Sequence, residues 1–478
     1  MKIAMLASES NPLIKTGGLA DVVYSLSKAL SLKGHEVIVA LPFYKSLRLN
    51  GRKVKEIGSY NVTMSWRHQE ARIYLLEESG IRFYLIGNPY YFERDGVYGY
   101  PDDNERFAFF ALASEALLRF LSFDADIVSC HDWQTAMVPT LVKEAHRFEA
   151  NYRNTKFTLT IHNPAFKGFM DRYFLGDYFN LPDSLFENGN VRFDGMVSTL
   201  KSGIVYADKI ITVSPTHRKE LLNDVGGHNL GSVLRLRAKD FVGILNGIDT
   251  DEWDSSKDTK ITAPFDSKTR SSSLALNRKD LLSSFHVQDQ KGPVYGLVSR
   301  LSWQKGIDLI LNGFHSLLKK NCNLLVLGSG EYDLERRFEE LRSRFPDKCG
   351  IYIGYNDALA HKIYAGSDFF LMPSLFEPCG ISQMISQRYG TLPIVRYTGG
   401  LADTVNGYIG NNAETADGIG FNDYNDSGLG YALGMSESLY KDKDAFQRVQ
   451  RNAMGLDHSW GRSASLYEDL FYSIAKQE

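Results

Sequence analysis

Short apolar runs alternate with segments of helical periodicity along almost the whole chain, and that alternation leaves few folds open. Ile3 to Ala7 is apolar, Gly17 and Gly18 punctuate, Val22, Leu26, Ala29 and Leu30 recur at helical spacing, Gly34 stops the helix, and Val37 to Leu41 is apolar again. This is a strand–helix–strand unit with a glycine-rich turn after its first strand. Further runs end at His131-Asp132 (from Ile127), at His162-Asn163 (Phe157 to Ile161) and at Ser214-Pro215 (Lys209 to Val213), while Ala71 to Leu76 and Ile81 to Ile86 read as an extra antiparallel pair. After a Ser/Lys/Asp-rich stretch at about 254 to 280 a second series begins: Pro293 to Ser299, Asn323 to Leu327, Gly350 to Gly354, Phe369 to Met372 and Leu392 to Val395, with helical segments such as Ile307 to Leu318 between them. Strands that read as continuous apolar runs are buried on both faces, so each series predicts a parallel sheet covered by helices.

At 478 residues the chain exceeds one core. The expectation is therefore α/β: two doubly wound, Rossmann-like parallel-sheet domains facing a cleft, at residues 1–245 and 246–457. The stretch 458–478 carries Trp460, Tyr467, Leu470, Phe471 and Ile474 at roughly helical spacing. It is expected to be a helix packing back on the first domain, with a cap on the second as the alternative.

Charge and cysteine usage narrow the partners. With 54 basic and 57 acidic residues, a net of −3, no global field exists to hold a nucleic acid, and a neutral or small charged substrate fits better. The four cysteines are scattered without paired spacing, against a disulfide framework or structural zinc and in favour of a reducing compartment. The N-terminal apolar run turns polar at Ser8-Glu9-Ser10, too soon for a signal peptide, and no run of 18 apolar residues occurs, so no membrane span and a cytoplasmic location are expected.

The strongest chemical cluster is Ser299-Arg300-Leu301-Ser302-Trp303-Gln304-Lys305-Gly306, at a strand's end before a helix. Two cations in that turn can converge on a diphosphate, Arg through its planar fork and Lys as a point charge, though such residues in loops are commonly just solvated. Leu327-Gly328-Ser329-Gly330-Glu331 is a Gly-x-Gly turn that lacks the third glycine of a dinucleotide fingerprint and the Lys-Ser/Thr end of a phosphate loop, so a tight structural turn explains it equally well. In Pro373-Ser374-Leu375-Phe376-Glu377-Pro378-Cys379-Gly380 a strand-end carboxylate suits sugar hydroxyls, and Cys379 and Gly380 would offer helix N-terminal amides. Thr16-Gly17-Gly18-Leu19-Ala20-Asp21 recurs as Thr398-Gly399-Gly400-Leu401-Ala402-Asp403, each directly before a predicted helix. Either both are good strand-to-helix turns, or both point amides at an anion in one cleft.

Lys15-Thr16-Gly17-Gly18-Leu19-Ala20-Asp21, His131-Asp132-Trp133-Gln134, Thr160-Ile161-His162-Asn163, Val213-Ser214-Pro215, Leu245-Asn246-Gly247-Ile248-Asp249, Ser299-Arg300-Leu301, Gln304-Lys305-Gly306 and Phe376-Glu377-Pro378-Cys379-Gly380 stand in the order and at the spacing of bacterial glycogen and starch synthases, which the chain resembles from residue 1 to about 460. The resemblance implies the GT-B fold and the retaining transfer of glucose from ADP-glucose to the end of an α-1,4-glucan. It implies that Lys15 and Gly18, with Arg300 and Lys305, meet the diphosphate, that Tyr355 lies against the adenine, and that Asp21, His162, Asn246, Glu377, Cys379 and Gly380 surround the glucose. Asp132 would lie near the reacting centre or the acceptor. The catalytic set is thus Lys15, Asp132, His162, Arg300, Lys305 and Glu377. Wider relatives carry a second Glu eight residues after the first, but here that position is Ile385, so a carboxylate-pair mechanism is not available. Gln134 stands where some members have His, which leaves the acceptor side open. Neither a metal nor a cofactor is expected; Asp249-Thr250-Asp251 has the form of a metal motif but reads better as an interdomain crossover. A relative using UDP-glucose with a small acceptor, and a non-catalytic glucan-binding protein, remain as alternatives.

Overall fold

A computed structural model describes residues 1–146 and 148–476; Arg147, Gln477 and Glu478 lie outside the described residues, and with them the end of the segment expected to return as a helix. The chain divides into two compact units, Met1–Asn246 with Trp460–Glu478, and Gly247–Ser459.

In the first unit the strands are β1 Lys2–Leu6, β2 Glu36–Pro42, β3 Lys55–Met64, β4 Arg67–Glu78, β5 Ile81–Gly87, β6 Ile127–His131 and β7 Lys156–Ile161, then a small sheet of β8 Phe169–Met170, β9 Arg192–Phe193 and β10 Met196–Ser198, and finally β11 Lys209–Thr212 and β12 Phe241–Gly243. The main sheet runs β12-β11-β7-β6-β1-β2-β5-β4-β3, parallel from β12 to β5 and antiparallel from there outward. The central strands are buried along nearly their whole length, as their unbroken apolar runs require. The helix Gly18–Leu32 buries Leu19, Val22, Val23, Leu26 and Leu30 on one face. Trp460–Ala475 packs into the same core through Trp460, Tyr467, Phe471 and Ile474, and its Glu468 bonds His35 and Lys33 at 2.8 and 2.7 Å.

In the second unit β13 Val294–Val298, β14 Asn323–Gly328, β15 Cys349–Ile353, β16 Phe369–Met372, β17 Leu392–Arg396 and β18 Ile419–Phe421 form an all-parallel sheet in the order β15-β14-β13-β16-β17-β18. The stretch at 254 to 280 is not featureless. Its second half enters the helix Arg270–Ser284, whose buried positions are Arg270, Asn277, Leu281 and Leu282. Arg270 is sequestered there, donating from Nε to Tyr389 O at 2.8 Å and from Nη2 to Ser367 O at 3.2 Å. Asp249, at the start of this unit, closes a turn by accepting from the amides of Asp251 and Glu252 at 2.9 and 3.2 Å.

In both sheets the order reverses beside a central strand: at β1/β6 in the first unit and at β13/β16 in the second. Beyond the carboxyl ends of strands at such a switch point, neighbouring loops diverge and leave a crevice, the place where open α/β sheets bind ligands.

Candidate active site

The switch point of the second unit is a pocket of about 200 Å³ lined by Ser299, Arg300 and Lys305 after β13 and by Met372, Ser374 and Ser382 around β16. The two loops are locked to each other. Leu375 N donates to Gln304 O at 2.8 Å, and Gly306, at φ +71°, lies so close to Pro373 that an added Cβ would stand 2.0 Å from its carbonyl oxygen. No side chain fits there. Arg396, from the end of β17, donates to Leu375 O at 2.7 Å and holds the loop from the other side.

This framework brings Lys305 Nζ to 2.5 Å from Glu377 Oε2, with Ser374 Oγ donating to the same oxygen at 3.2 Å. Glu377 is buried and Arg300 exposed, so Lys305 is held by a carboxylate while Arg300 stands open to solvent. Cys379 and Gly380 do not cap the following helix: Gly380 takes φ +74°, and the helix Ser382–Arg388 starts beyond it. Their carbonyls accept from Gln383 Nε2 at 3.1 and 3.3 Å. Tyr355 stands beyond the end of β15, 87% exposed. The Gly-Ser-Gly turn proves structural. A Cβ at Gly328 would meet Ser299 O at 1.9 Å and one at Gly330 would meet Leu301 O at 2.1 Å, so these glycines let the Arg300 loop pack close.

At the switch point of the first unit, Lys15 and Asp21 form an ion pair at 2.8 Å, and Asn11 Nδ2 reaches the same carboxylate at 2.5 Å. Asp132 lies at the end of β6 in the left-handed region, φ +54°. Its Oδ1 accepts from the amides of His162 and Asn163 at 2.7 and 3.3 Å, so it fixes the loop after β7. Burial pushes its carboxyl up to about 7, against those two bonds and helped by the negative charge of Glu9. His131 Nδ1 and His162 Nε2 are 3.0 Å apart in a stacked pair. Burial pushes His131 down to about 3, and burial with the neighbouring imidazole holds His162 well below the usual range, so both are neutral. Asn246 follows β12 with its Oδ1 buried and unbonded among the described residues.

The repeated Thr-Gly-Gly-Leu-Ala-Asp sequence serves two purposes. Both copies run into their helices rather than stopping before them, the helices starting at Gly18 and Gly399. At Gly399, φ +43°, and at Gly400 an added Cβ would stand 2.0 Å from Glu377 O and 2.1 Å from Cys379 O. That glycine pair admits the Glu377 loop. A Cβ added at Gly17 or Gly18 would meet nothing within 4 Å beyond its chain neighbours and the helix's own backbone, so the same sequence there borders open space.

One organising residue, Glu9, lies outside every motif, and another, His131, lies within one that gives it no role. Glu9 is buried at the head of the Lys15 loop, and His131 is buried behind His162. The available signal for Glu9 is its place, an acidic residue three positions past a buried central strand at a predicted strand–helix turn.

Two doubly wound units, each with its charged loops at a switch point, define a GT-B glycosyltransferase. Residues 2–236 match the family model of the starch synthase catalytic domain, and residues 279–419 that of glycosyl transferases group 1. Glycogen synthases from Anoxybacillus flavithermus and Bacillus subtilis are each 40% identical, covering 98% and 100% of this chain and 97% and 99% of theirs. The catalytic domain of Arabidopsis thaliana starch synthase IV, bound to ADP and acarbose, superposes with a TM-score of 0.91 at 32% identity over 99% of both chains. The fold alone extends to sucrose-phosphate synthase from Thermosynechococcus elongatus, TM-score 0.60 at 16% identity over 99% of both chains. The chain belongs to the glycogen and starch synthase family of retaining glycosyltransferases.

Proposed function

We propose that the protein transfers glucose from ADP-glucose to the 4-hydroxyl at the non-reducing end of an α-1,4-glucan. The observation that carries this reading is the second unit's switch-point pocket, which Arg300 and Lys305 line and where Lys305 is paired with the buried Glu377. Cations there suit a diphosphate, and a carboxylate beside them suits sugar hydroxyls. That the related starch synthase IV was solved with ADP supports an adenine nucleotide as donor.

Retention by two inversions needs a nucleophilic carboxylate about 5 Å from its acid partner. Glu377 is instead bonded by Lys305, and the helix after it presents Ile385 rather than a second acid. Attack from the face that ADP leaves is the alternative. Lys15, Arg300 and Lys305 then stabilise the charge growing on the departing diphosphate, whose oxygen accepts the acceptor's proton. Asp21, His162, Asn246, Glu377, Cys379 and Gly380 position the glucose, with His162 neutral and orienting rather than acting as base; Gly18 leaves room for the diphosphate, Tyr355 stacks on adenine, and Asp132 shapes the acceptor side.

No metal or cofactor enters this scheme. Two groups of described residues have the donor sets for an ion, Glu115/His146/Glu149 and Glu252/Asp357/His361. Each already encloses a cation of the protein, Arg119 in the first and Lys260 in the second. Among the described residues no helix is long and apolar enough to cross a membrane. Four buried cysteines that form no disulfide fit a reducing, cytoplasmic setting.

Release of ADP from ADP-glucose, dependent on added glycogen, tests the reading directly. Equal turnover of UDP-glucose, or transfer to a small sugar but not to glycogen, would move the protein to another branch of the fold. Glycogen binding without turnover of any nucleotide sugar would make it a binding protein.

A further inference from the structure

Glu9 is 4% exposed and bears no cation among the described residues, yet it collects three donors. Its Oε2 accepts from the amide of Thr16; its Oε1 accepts from Thr16 Oγ1 at 2.9 Å and from Tyr98 OH at 3.1 Å. Tyr98 is itself fixed by Ser8 at 2.7 Å. A carboxylate buried without a counter-charge is costly, and this one stands near a second buried acid, Asp132, whose carboxyl its charge pushes upward. The residue this carboxylate controls is Lys15. On one side Ile14 N and Leu13 N both bond Ser10 O at 3.0 Å; on the other, Thr16 is held by backbone and side chain at once. Between these two clamps Lys15 has a fixed backbone and a side chain that is 45% exposed, and just after it Gly17 and Gly18 border open space.

We propose that Glu9 is a positioning residue for donor turnover: through its double hold on Thr16 it fixes the backbone that presents the Lys15 ammonium to the diphosphate of the nucleotide sugar. The proposal rests on the donor reading above, and the test separates the two. The full-length protein carries Glu9→Gln, Lys15→Ala or both, and kcat and KM for ADP-glucose and for glycogen are measured with the melting temperature. Glu9→Gln lowers kcat/KM for ADP-glucose by roughly ten-fold or more, as for loss of a charged hydrogen bond, leaves KM for glycogen near native, and costs at most about two-fold in the Lys15→Ala background, because residues acting as one unit are non-additive. A penalty of the same size in both backgrounds overturns the proposal while leaving the donor site standing. Native kinetics in Glu9→Gln overturns it as well. Native kinetics in Lys15→Ala overturns both readings. Should Glu9→Gln fail to fold, Thr16→Val removes only the hydroxyl bond, and the same dependence on Lys15 is expected of it; its absence overturns the proposal equally.

Discussion

Lys305 and Glu377, 72 positions apart in sequence, are joined by a 2.5 Å ion pair at the ends of β13 and β16, so the diphosphate cation and the sugar carboxylate of the proposed site set each other's position. Losing one partner strands the other in a largely buried place, which costs more than losing both.

Lys305→Ala should therefore lower turnover about 10- to 100-fold and stability by about 2 kcal/mol. Adding Glu377→Gln should restore much of the melting temperature and none of the activity. Recovery of both together would show that Lys305 serves the fold alone.

Glu377→Gln by itself should keep measurable transfer, since on a front-face route the carboxylate binds hydroxyls and forms no bond to the sugar. Mass spectrometry of the enzyme quenched during turnover should find no glucosylated peptide containing residue 377; a covalent adduct there would establish two inversions.

The two glycine pairs should respond oppositely. Gly400→Ala drives a Cβ toward a carbonyl 2.1 Å away and should cost about 1–3 kcal/mol, read as a lower melting temperature. Gly18→Ala meets open space and should leave the melting temperature near native while raising KM for ADP-glucose. A stability loss of equal size at both would remove the distinction between them.

Asp132→Asn keeps an oxygen for the two amides and tolerates the left-handed backbone. In the native protein the folded carboxyl titrates near 7, above its unfolded value, so the fold holds the extra proton between about pH 4 and 7 and loses stability as pH rises through that window. The Asn variant lacks this loss, and its melting temperature relative to native should climb from pH 5 to pH 8. His131 works in the opposite sense. Its folded pKa is depressed to about 3, so its neutral form favours the fold above the unfolded value near 6.5, and that stability is lost as pH falls toward 3. His131→Gln should flatten the acid limb of the stability curve.

Chelation offers a further check. Turnover after exhaustive treatment with EDTA should match that of the untreated enzyme, and restoration of lost activity by Mg²⁺ would contradict a scheme in which Lys15, Arg300 and Lys305 carry the charge.

Long central strands were legible because a strand buried on both faces must be apolar throughout; β1, β7, β13 and β14 fall within a residue of the runs that announce them. β3 was missed since Lys55–Met64 alternates on an exposed edge with few buried positions, and β12 and β18 since three residues carry no period. The helix Arg270–Ser284 was unreadable because its buried face includes an arginine, satisfied by a carbonyl 119 positions on, and an asparagine, satisfied by Ala263 in the preceding loop. At the site, motifs supplied Lys15, Arg300, Lys305 and Glu377 but could not show that Lys305 pairs with Glu377, nor that Glu9 accepts from Thr16. The first relation joins loops 72 positions apart, and the second depends on how the loop after β1 closes on itself, which local sequence does not encode.

The helix Trp460–Ala475 belongs to the unit that begins with β1, so the second unit, Gly247–Ser459, is an insertion within the first. During synthesis the inserted unit is complete in sequence while its host still lacks Trp460, Tyr467 and Phe471 from its core. Order of folding thus departs from order of numbering: the inserted unit can finish folding before the unit that precedes it in sequence, and the surface of Gly18–Leu32 that receives Trp460–Ala475 stays uncovered until that helix has been made.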